Sequence, residues 1–269
     1  GSTYLDLGSS TALQPEDLTL SFWVEPSGKL SGEHVITWNK WAYNSDGWYL
    51  SSESDTVPLA LSIGPASGQP YKVRVASSDR ASFFPADEWT HVVVTYDHAS
   101  KAVAFYRNGE QQVSSVAYAT GGAATGALTS DTTTTKSIGF NGPQYNGAYV
   151  RGALDDYALY NSVASASDVV ALTKANNPAF DPADVAGRAL EQLSVPGSAS
   201  ASFGLTTSSS NGTAFTWTSS NPAVIALNGG QATVTRPKDA NATVTLTASA
   251  TYAGSAPRTK TFSVEVAKE

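Results

Sequence analysis

The sequence predicts an all-β chain built as two sandwiches, and three observations lead to this fold class. Short runs of alternating apolar and polar residues recur along the 269 residues, which is the pattern of half-buried strands. No long helical segment separates the strands, so antiparallel sandwiches are favoured over an α/β fold. The length favours two domains, and after Pro196-Gly197 the composition shifts to Ser and Thr.

The strands of the first half are short and regularly spaced. Residues 18–25, LTLSFWVE, place Leu18, Leu20, Phe22 and Val24 on one face. The Asn108-Gly109 dipeptide predicts a two-residue hairpin turn, because both residues tolerate positive φ. Further predicted strands are HVITWNKW from His34, GWYLS from Gly47, LALSI from Leu59, YKVRVA from Tyr71, EWTHVVVTYD from Glu88, KAVAFYRNGEQ from Lys101, KSIGF from Lys136 and ALDDYALY from Ala153.

Two helical patches precede the second set of strands. The first is expected over 166–175 with Ser167 as its cap, and the second over 182–192 with Asp181 as its cap. The chain is therefore expected to divide near Pro178 into domains 1–178 and 179–269. The strands predicted for the second domain are AFTWTS from Ala214, QATVTR from Gln231, ATVTLTASATY from Ala242 and TKTFSVEVA from Thr259.

Composition excludes several classes of partner and site. The net charge of -7 argues against nucleic acid, which requires clustered Lys and Arg, and against an anionic membrane surface. The absence of Cys excludes disulfides, thiolate zinc sites and cysteine nucleophiles. No apolar run is long enough for membrane insertion, and no signal peptide is visible. Gly1-Ser2 looks like a cloning remnant, so we expect a fragment of a larger protein.

The first domain resembles the laminin-G-like, concanavalin-type jelly roll of bacterial multimodular proteins. The resemblance rests on the order and spacing of LTLSFWVEP, GWYL, EWTHVVVTYD, AFYRNGE and GALDDYALYNSVASASDVVAL. It implies a concanavalin-like sandwich in which Trp23, Trp48 and Trp89 are packing residues.

The second domain resembles the atrophied bacterial immunoglobulin-like repeat. This resemblance rests on FTWTSSNPAVIALNGGQATVTRP, VTLTASA and TKTFSVEV, and it implies that Trp217 is a core residue. Such repeats commonly lie beside catalytic and sugar-binding modules in secreted bacterial glycosidases. The resemblance therefore implies an extracellular or cell-surface location, with the catalytic domain of the same parent chain as a partner.

The carboxylates do not form the pair that a glycosidase needs, which is two acids facing each other across the cleaved bond. Glu53 and Asp55 have a suitable separation but lie in a Ser-rich stretch that is typical of a solvated loop. Adjacent Asp155 and Asp156 would point to opposite faces of their strand. No triad or metal-binding spacing connects the three histidines, of which His91 is expected to be a framework residue: His34, His91 and His98.

Asp155 is the candidate metal ligand. By strand alternation it shares a face with Tyr157 and Leu159, and a carboxylate on an apolar face must be paired, hydrogen-bonded or bound to a metal. The resemblance implies that acids here support loops or a structural Ca²⁺, which prefers oxygen ligands. Structural hydrogen bonding and calcium both remain open.

Aromatic residues in polar loops are the positive signal for binding. Sugars stack their CH faces on aromatic rings while planar polar side chains bind the hydroxyls, and binding residues are concentrated in loops. Two such clusters occur, around AYNSDG and around NGPQYNGAYVR. The predicted ligand-binding residues are Trp41, Tyr43, Asn44, Asp46, Tyr145, Asn146 and Arg151.

These observations favour a non-catalytic carbohydrate-binding module pair from a secreted bacterial glycan-degrading enzyme, with a polysaccharide or glycan as ligand. Tethering would keep such an enzyme at its substrate. The alternatives are a pair of purely structural spacer modules and an adhesin fragment that binds a host surface. A stand-alone glycosidase is the weakest reading, because the acid pair is missing.

Overall fold

A computed structural model describes residues 4–39, 47–64, 71–76, 79–118, 133–139 and 149–269. The chain divides into two compact units, Gly1–Asn176 and Asn177–Glu269. Both units are β-sandwiches, so the predicted fold class is confirmed. No helix in these ranges is long and apolar enough to cross a membrane.

The described residues of the first unit form twelve strands, all in antiparallel pairs, with a short helix α1 (Arg80–Phe83) and a longer helix α2 (Ala166–Asn176). The strands are β1 (Leu5–Gly8), β2 (Leu18–Pro26), β3 (His34–Trp38), β4 (Trp48–Ser52), β5 (Ala60–Ile63), β6 (Tyr71–Val75), β7 (Thr90–Tyr96), β8 (Val103–Arg107), β9 (Glu110–Gln112), β10 (Ser114–Tyr118), β11 (Lys136–Ile138) and β12 (Gly152–Tyr160).

These strands form two sheets around one core. The seven-stranded sheet has the order β1-β11-β3-β4-β5-β6-β10, and the five-stranded sheet has the order β12-β2-β7-β8-β9. Burying one aliphatic or aromatic side chain contributes roughly 1.5–3 kcal/mol, so the alternating faces that meet here hold the sandwich together. The core includes Leu18, Leu20, Phe22, Val24, Ile36, Leu50, Leu61, Ile63, Val73, Val92, Val94 and Phe105.

Two local predictions meet different outcomes in this unit. Asn108 and Gly109 have φ angles of 47° and 81° and join β8 to β9, which confirms the predicted hairpin turn. The predicted cap Ser167 is wrong, because Ser165 caps helix α2. The Ser165 hydroxyl accepts a hydrogen bond from the Asp168 N–H at 3.2 Å, and the Asp168 carboxylate accepts one from the Ser165 N–H at 2.9 Å. This reciprocal pair satisfies two backbone donors.

The second unit contains α3 (Pro182–Glu191) and two three-stranded sheets, with the orders β13-β16-β15 and β14-β17-β18. Asp181 caps α3 as predicted, since its side chain accepts a hydrogen bond from the Ala183 N–H. The strands are β13 (Phe203–Gly204), β14 (Ala214–Ser219), β15 (Ile225–Asn228), β16 (Gln231–Val234), β17 (Ala242–Thr251) and β18 (Arg258–Val266).

Trp217 contributes to the core of the second unit from its margin. The residue is half-buried, its ring lies 5.6 Å from that of Phe262, and its indole N–H donates to the Thr206 carbonyl at 2.8 Å. Its aromatic surface packs while its polar atom keeps a partner, as is usual for tryptophan at the edge of a core. Residues Val244, Leu246, Val264 and Val266 complete the buried centre.

Candidate functional site

Most of the predicted ligand-binding residues lie outside the described residues. These are Trp41, Tyr43, Asn44, Asp46, Tyr145 and Asn146. Arg151 is described and lies exposed immediately before β12, where its carbonyl accepts a hydrogen bond from the Ser27 N–H at 3.0 Å.

The residues that flank the two predicted clusters lie at opposite ends of β3. At one end, the Asn39 N–H donates to the Trp48 carbonyl at 3.0 Å, and residues 40–46 lie between these two in sequence. At the other end, the His34 imidazole is 2.6 Å from the Tyr149 carbonyl, and residues 140–148 precede Tyr149. A five-residue strand separates its ends by about 13 Å at about 3.3 Å per residue. The anchor points of the two clusters are therefore separate.

Asp155 does not share a strand face with Tyr157 and Leu159, so this part of the prediction is wrong. Asp155 pairs with Trp23 but Ala158 pairs with Ser21, so β12 has one extra residue where β2 has Phe22. This bulge reverses the alternation, so that Tyr157 faces the core while Asp155 is exposed on the other face. Its carboxylate accepts a hydrogen bond from the Asp156 N–H at 2.8 Å.

The described residues do not by themselves fit a calcium ion. Ca²⁺ takes six to eight oxygen ligands, whereas Asp155 and Asp156 supply two carboxylates. Within the described ranges, no three His, Cys, Asp or Glu side chains converge to hold a metal. Calcium at Asp155 stays a prediction of the sequence.

A row of polar and aromatic residues crosses the face of the seven-stranded sheet that points away from the core. In register across β3, β4, β5 and β6, Trp38 pairs with Tyr49, Tyr49 with Ser62, and Ser62 with Lys72. The Trp38 and Tyr49 rings lie 5.8 Å apart, and these two residues are 4% and 2% exposed. Trp38 and Tyr49 are therefore packing residues, although the row of residues to which they belong has the composition of a sugar-binding surface.

The two acids that follow β4 are held by cations. The Lys72 ammonium lies 2.6 Å from the Glu53 carboxylate, and the Arg80 guanidinium lies 2.8 Å from that of Asp55. Arg80 is 2% exposed and also donates to the carbonyls of Leu30 and Gly32. Both acids lie in the loop after β4, as predicted, and the Asp55 side chain is 64% exposed, whereas that of Glu53 is only 22% exposed. Each carboxylate thus has a cationic partner through a charge-assisted hydrogen bond.

The three tryptophans that were expected to pack in the framework, Trp23, Trp48 and Trp89, differ from one another in exposure. Trp48 is 2% exposed, and Trp23 is half-buried with its ring stacked 5.0 Å from that of His91. Trp89, expected to be a packing residue, is 43% exposed and lies immediately before β7. It precedes the point at which β7 pairs with β2, so it projects beyond the packed part of the sheet.

His91 is a framework residue, as predicted. It is 2% exposed, and its two ring nitrogens lie 3.0 Å from the hydroxyls of Ser21 and Thr173. Burial lowers the pKa of His91 to about 4, because an apolar environment disfavours the imidazolium. A histidine held neutral on both sides is a structural element of the sandwich.

An open pocket of about 370 Å³ lies at the edge of the first sandwich, between β1 and β12. Asp155 and Asp156 are at its rim, and Tyr157 contributes to its wall. The Tyr157 hydroxyl is 2.8 Å from that of Thr37, and burial raises the pKa of this phenol, which therefore stays protonated. We call this cavity the edge pocket. Sequence reasoning missed it, because its lining joins residues at positions 4 and 5 to residues from 138 to 157.

Comparison with known families gives two matches. A family model described as the concanavalin A-like lectin/glucanases superfamily matches residues 1–170, and one described as the atrophied bacterial Ig domain matches residues 191–269. No curated protein matches the chain.

Similar solved structures share low sequence identity with this chain. Botulinum neurotoxin type C, whose cell entry is dependent upon interaction with two ganglioside molecules, is 15% identical with a TM-score of 0.42. That match covers 59% of this chain, which spans only 35% of the toxin chain. The Ruminococcus gnavus IT-sialidase CBM40 bound to α2,3-sialyllactose is 13% identical, with 64% and 97% covered and a TM-score of 0.44. Domain 4 of the Geobacillus stearothermophilus arabinanase AbnA, in complex with arabinotriose, is 19% identical, with 63% and 72% covered and a TM-score of 0.40.

Proposed function

Because this chain belongs to the concanavalin A-like lectin/glucanases superfamily and ends in an atrophied bacterial Ig domain, we propose that it is a non-catalytic carbohydrate-binding module pair. The first unit binds a polysaccharide or glycan, and the second unit links it to the rest of a secreted bacterial glycan-degrading enzyme. The parent protein is extracellular or attached to the cell surface, and the catalytic domain of the same chain is the partner.

The observation that favours binding over hydrolysis is the state of the acids after β4. A glucanase needs one carboxylic acid that gives up a proton and one carboxylate on the opposite side of the bond. Here Glu53 is paired with Lys72 and Asp55 with the buried Arg80, so both acids serve the structure. A binding module requires only surfaces that stack on a sugar ring and bind its hydroxyls.

A glycan array with the full chain, combined with an assay for released reducing sugar, tests this proposal. We expect at least one plant or host glycan to bind and none to be cleaved. Sugar release that disappears in Glu53→Gln would make the protein an enzyme. Failure to bind any glycan would favour the structural spacer, and binding only to protein-coated surfaces would favour the adhesin.

A further inference from the structure

The edge pocket has the surface of a ligand site. Its lining combines buried or half-buried apolar side chains, Ile138, Val150 and Leu154, with exposed Tyr4 and two exposed carboxylates. Tyr4 is 40% exposed. Large apolar side chains left open around a concave surface are typical of binding sites.

The bulge in β12 is what brings both carboxylates to this pocket. In a regular strand, Asp155 and Asp156 would point to opposite faces. Here Asp156 has φ 48°, in the left-handed region, and both acids line the pocket. The Asp156 N–H donates to Asp155, and the Asn176 side-chain amide donates to Asp156. The two hydrogen bonds offset the strain of the left-handed backbone at Asp156.

The pocket wall at Gly152 is bare backbone. This residue has φ +144°, and a Cβ atom there would lie 2.0 Å from the Glu25 carbonyl oxygen. A Cβ atom at this position would point into the backbone of β2, so the close approach of β12 to β2 requires glycine here.

The charges of the rim define the ligand. Ionised carboxylates only accept hydrogen bonds, and among the described residues neither Asp155 nor Asp156 forms an ion pair. The complementary molecule has an apolar face for the Tyr4 ring and several hydroxyl donors along one edge. A second carboxylate on that molecule would be repelled by both acids.

We propose that the edge pocket binds one uncharged sugar residue of a glycan chain and excludes sugars that carry a carboxylate. The ring stacks on Tyr4, and its hydroxyls donate to Asp155 and Asp156. This inference rests on the proposed carbohydrate-binding function but assigns a separate site within the described residues.

Nuclear magnetic resonance titration of the full chain tests it with matched ligands. The neutral probes are the methyl glycosides of galactose, glucose, mannose and arabinose, and the acidic probes are galacturonate and glucuronate. We expect the backbone amides of Gly152, Asp155 and Asp156 to shift with a neutral probe, and its acidic counterpart to bind at least tenfold more weakly. Tyr4→Ala and Asp156→Asn should each weaken binding at least tenfold.

The variants separate loss of contact from loss of fold. Asn at position 156 tolerates the left-handed backbone and can still accept from Asn176, so the bulge should persist. Trp89→Ala removes an exposed ring outside the pocket and should leave binding unchanged.

Each outcome of the titration supports or overturns a specific proposal. Sugar-induced shifts elsewhere in the first unit but not at these amides would overturn the edge pocket and leave the proposed function intact. Shifts that require added Ca²⁺, or equal binding of the acidic probes, would overturn direct contact with the carboxylates. An absence of shifts anywhere, together with a blank glycan array, would overturn both proposals.

Discussion

The His91 imidazole lies 3.0 Å from the Thr173 hydroxyl, and this contact joins strand β7 to helix α2. The Thr173 hydroxyl donates its single hydrogen to the Val169 carbonyl at 2.9 Å, so it must accept from Nδ1–H of His91. The other ring nitrogen, Nε2, is then the acceptor for the Ser21 hydroxyl at 3.0 Å. The network fixes one neutral tautomer.

The stability of the first unit should consequently fall in mild acid. The folded pKa of about 4 is below the unfolded value of 6.5, so between these values the unfolded state binds more protons. We expect the contribution of neutral His91 to be complete above pH 6.5 and about 3 kcal/mol to be lost by pH 4. Urea denaturation from pH 8 to pH 4 measures this loss.

His91→Gln should flatten that pH dependence relative to the parent, while His98→Gln should retain it. His98 is half-buried in the turn after β7 and is not part of the His91 network. An unchanged slope in His91→Gln would show that the acid sensitivity comes from other groups.

Arg80 should stabilise the first unit by more than its ion pair with Asp55 alone would contribute. Arg80→Met leaves the carbonyls of Leu30 and Gly32 without their guanidinium donor, and we expect a loss of roughly 2–4 kcal/mol in the free energy of unfolding. Lys29→Met is the matched control, because Lys29 lies 3.8 Å from the same Asp55 but its side chain is 71% exposed. An exposed pair of this kind contributes at most ~1 kcal/mol. Equal losses in the two variants would contradict the assigned role of Arg80.

Calcium at Asp155 is tested by chelation. The sequence-based proposal predicts that chelator lowers the melting temperature of the first unit and that Asp155→Asn removes this sensitivity. Asp6→Asn is a control, because Asp6 lies in β1 and its carboxylate binds the Gly8 N–H. A melting curve that is unchanged by chelator would contradict a structural Ca²⁺ at Asp155.

The domain division at 178/179 predicts that the two pieces fold separately. Residues 179–269 include α3, in which Val185 and Ala186 are fully buried, and the Lys260 ammonium donates to the Leu190 carbonyl at 3.1 Å. We expect fragment 179–269 to melt cooperatively, and fragment 193–269, which lacks α3, to melt at a lower temperature. Equal melting temperatures would show that α3 does not belong to the second domain.

The sequence predicted what depends on local periodicity and turn chemistry. Alternation identified β2 and β17, and Asn108-Gly109 identified the hairpin, because these signals are contained in a few neighbouring residues. The face of Asp155 could not be predicted, since the bulge depends on pairing with β2 more than 130 residues earlier in the chain. The short strands β1, β10, β13 and β15 give no such pattern and form through their partners.

The same limit applies to the site. The pairing of Lys72 with Glu53 and the edge pocket itself join residues that only the folded sheets bring together. The exposure of Trp89 could not be predicted either, because the local sequence around a tryptophan just before a strand does not show whether another element covers it.

Calorimetry on the full chain with a glycan found by array tests the carbohydrate-binding account most directly. The account predicts a dissociation constant of ~10–1,000 μM, since stacking contributes little per ring and the binding free energy is only about 4–7 kcal/mol. In a Tyr4→Ala background that silences the edge pocket, Trp41→Ala and Tyr145→Ala should each abolish measurable binding, whereas Trp89→Ala, at an exposed ring outside both clusters, should leave it unchanged. If both loop variants fold and bind as tightly as the parent, the predicted residues do not form the site. If no glycan on the array binds the parent, the carbohydrate-binding function is contradicted.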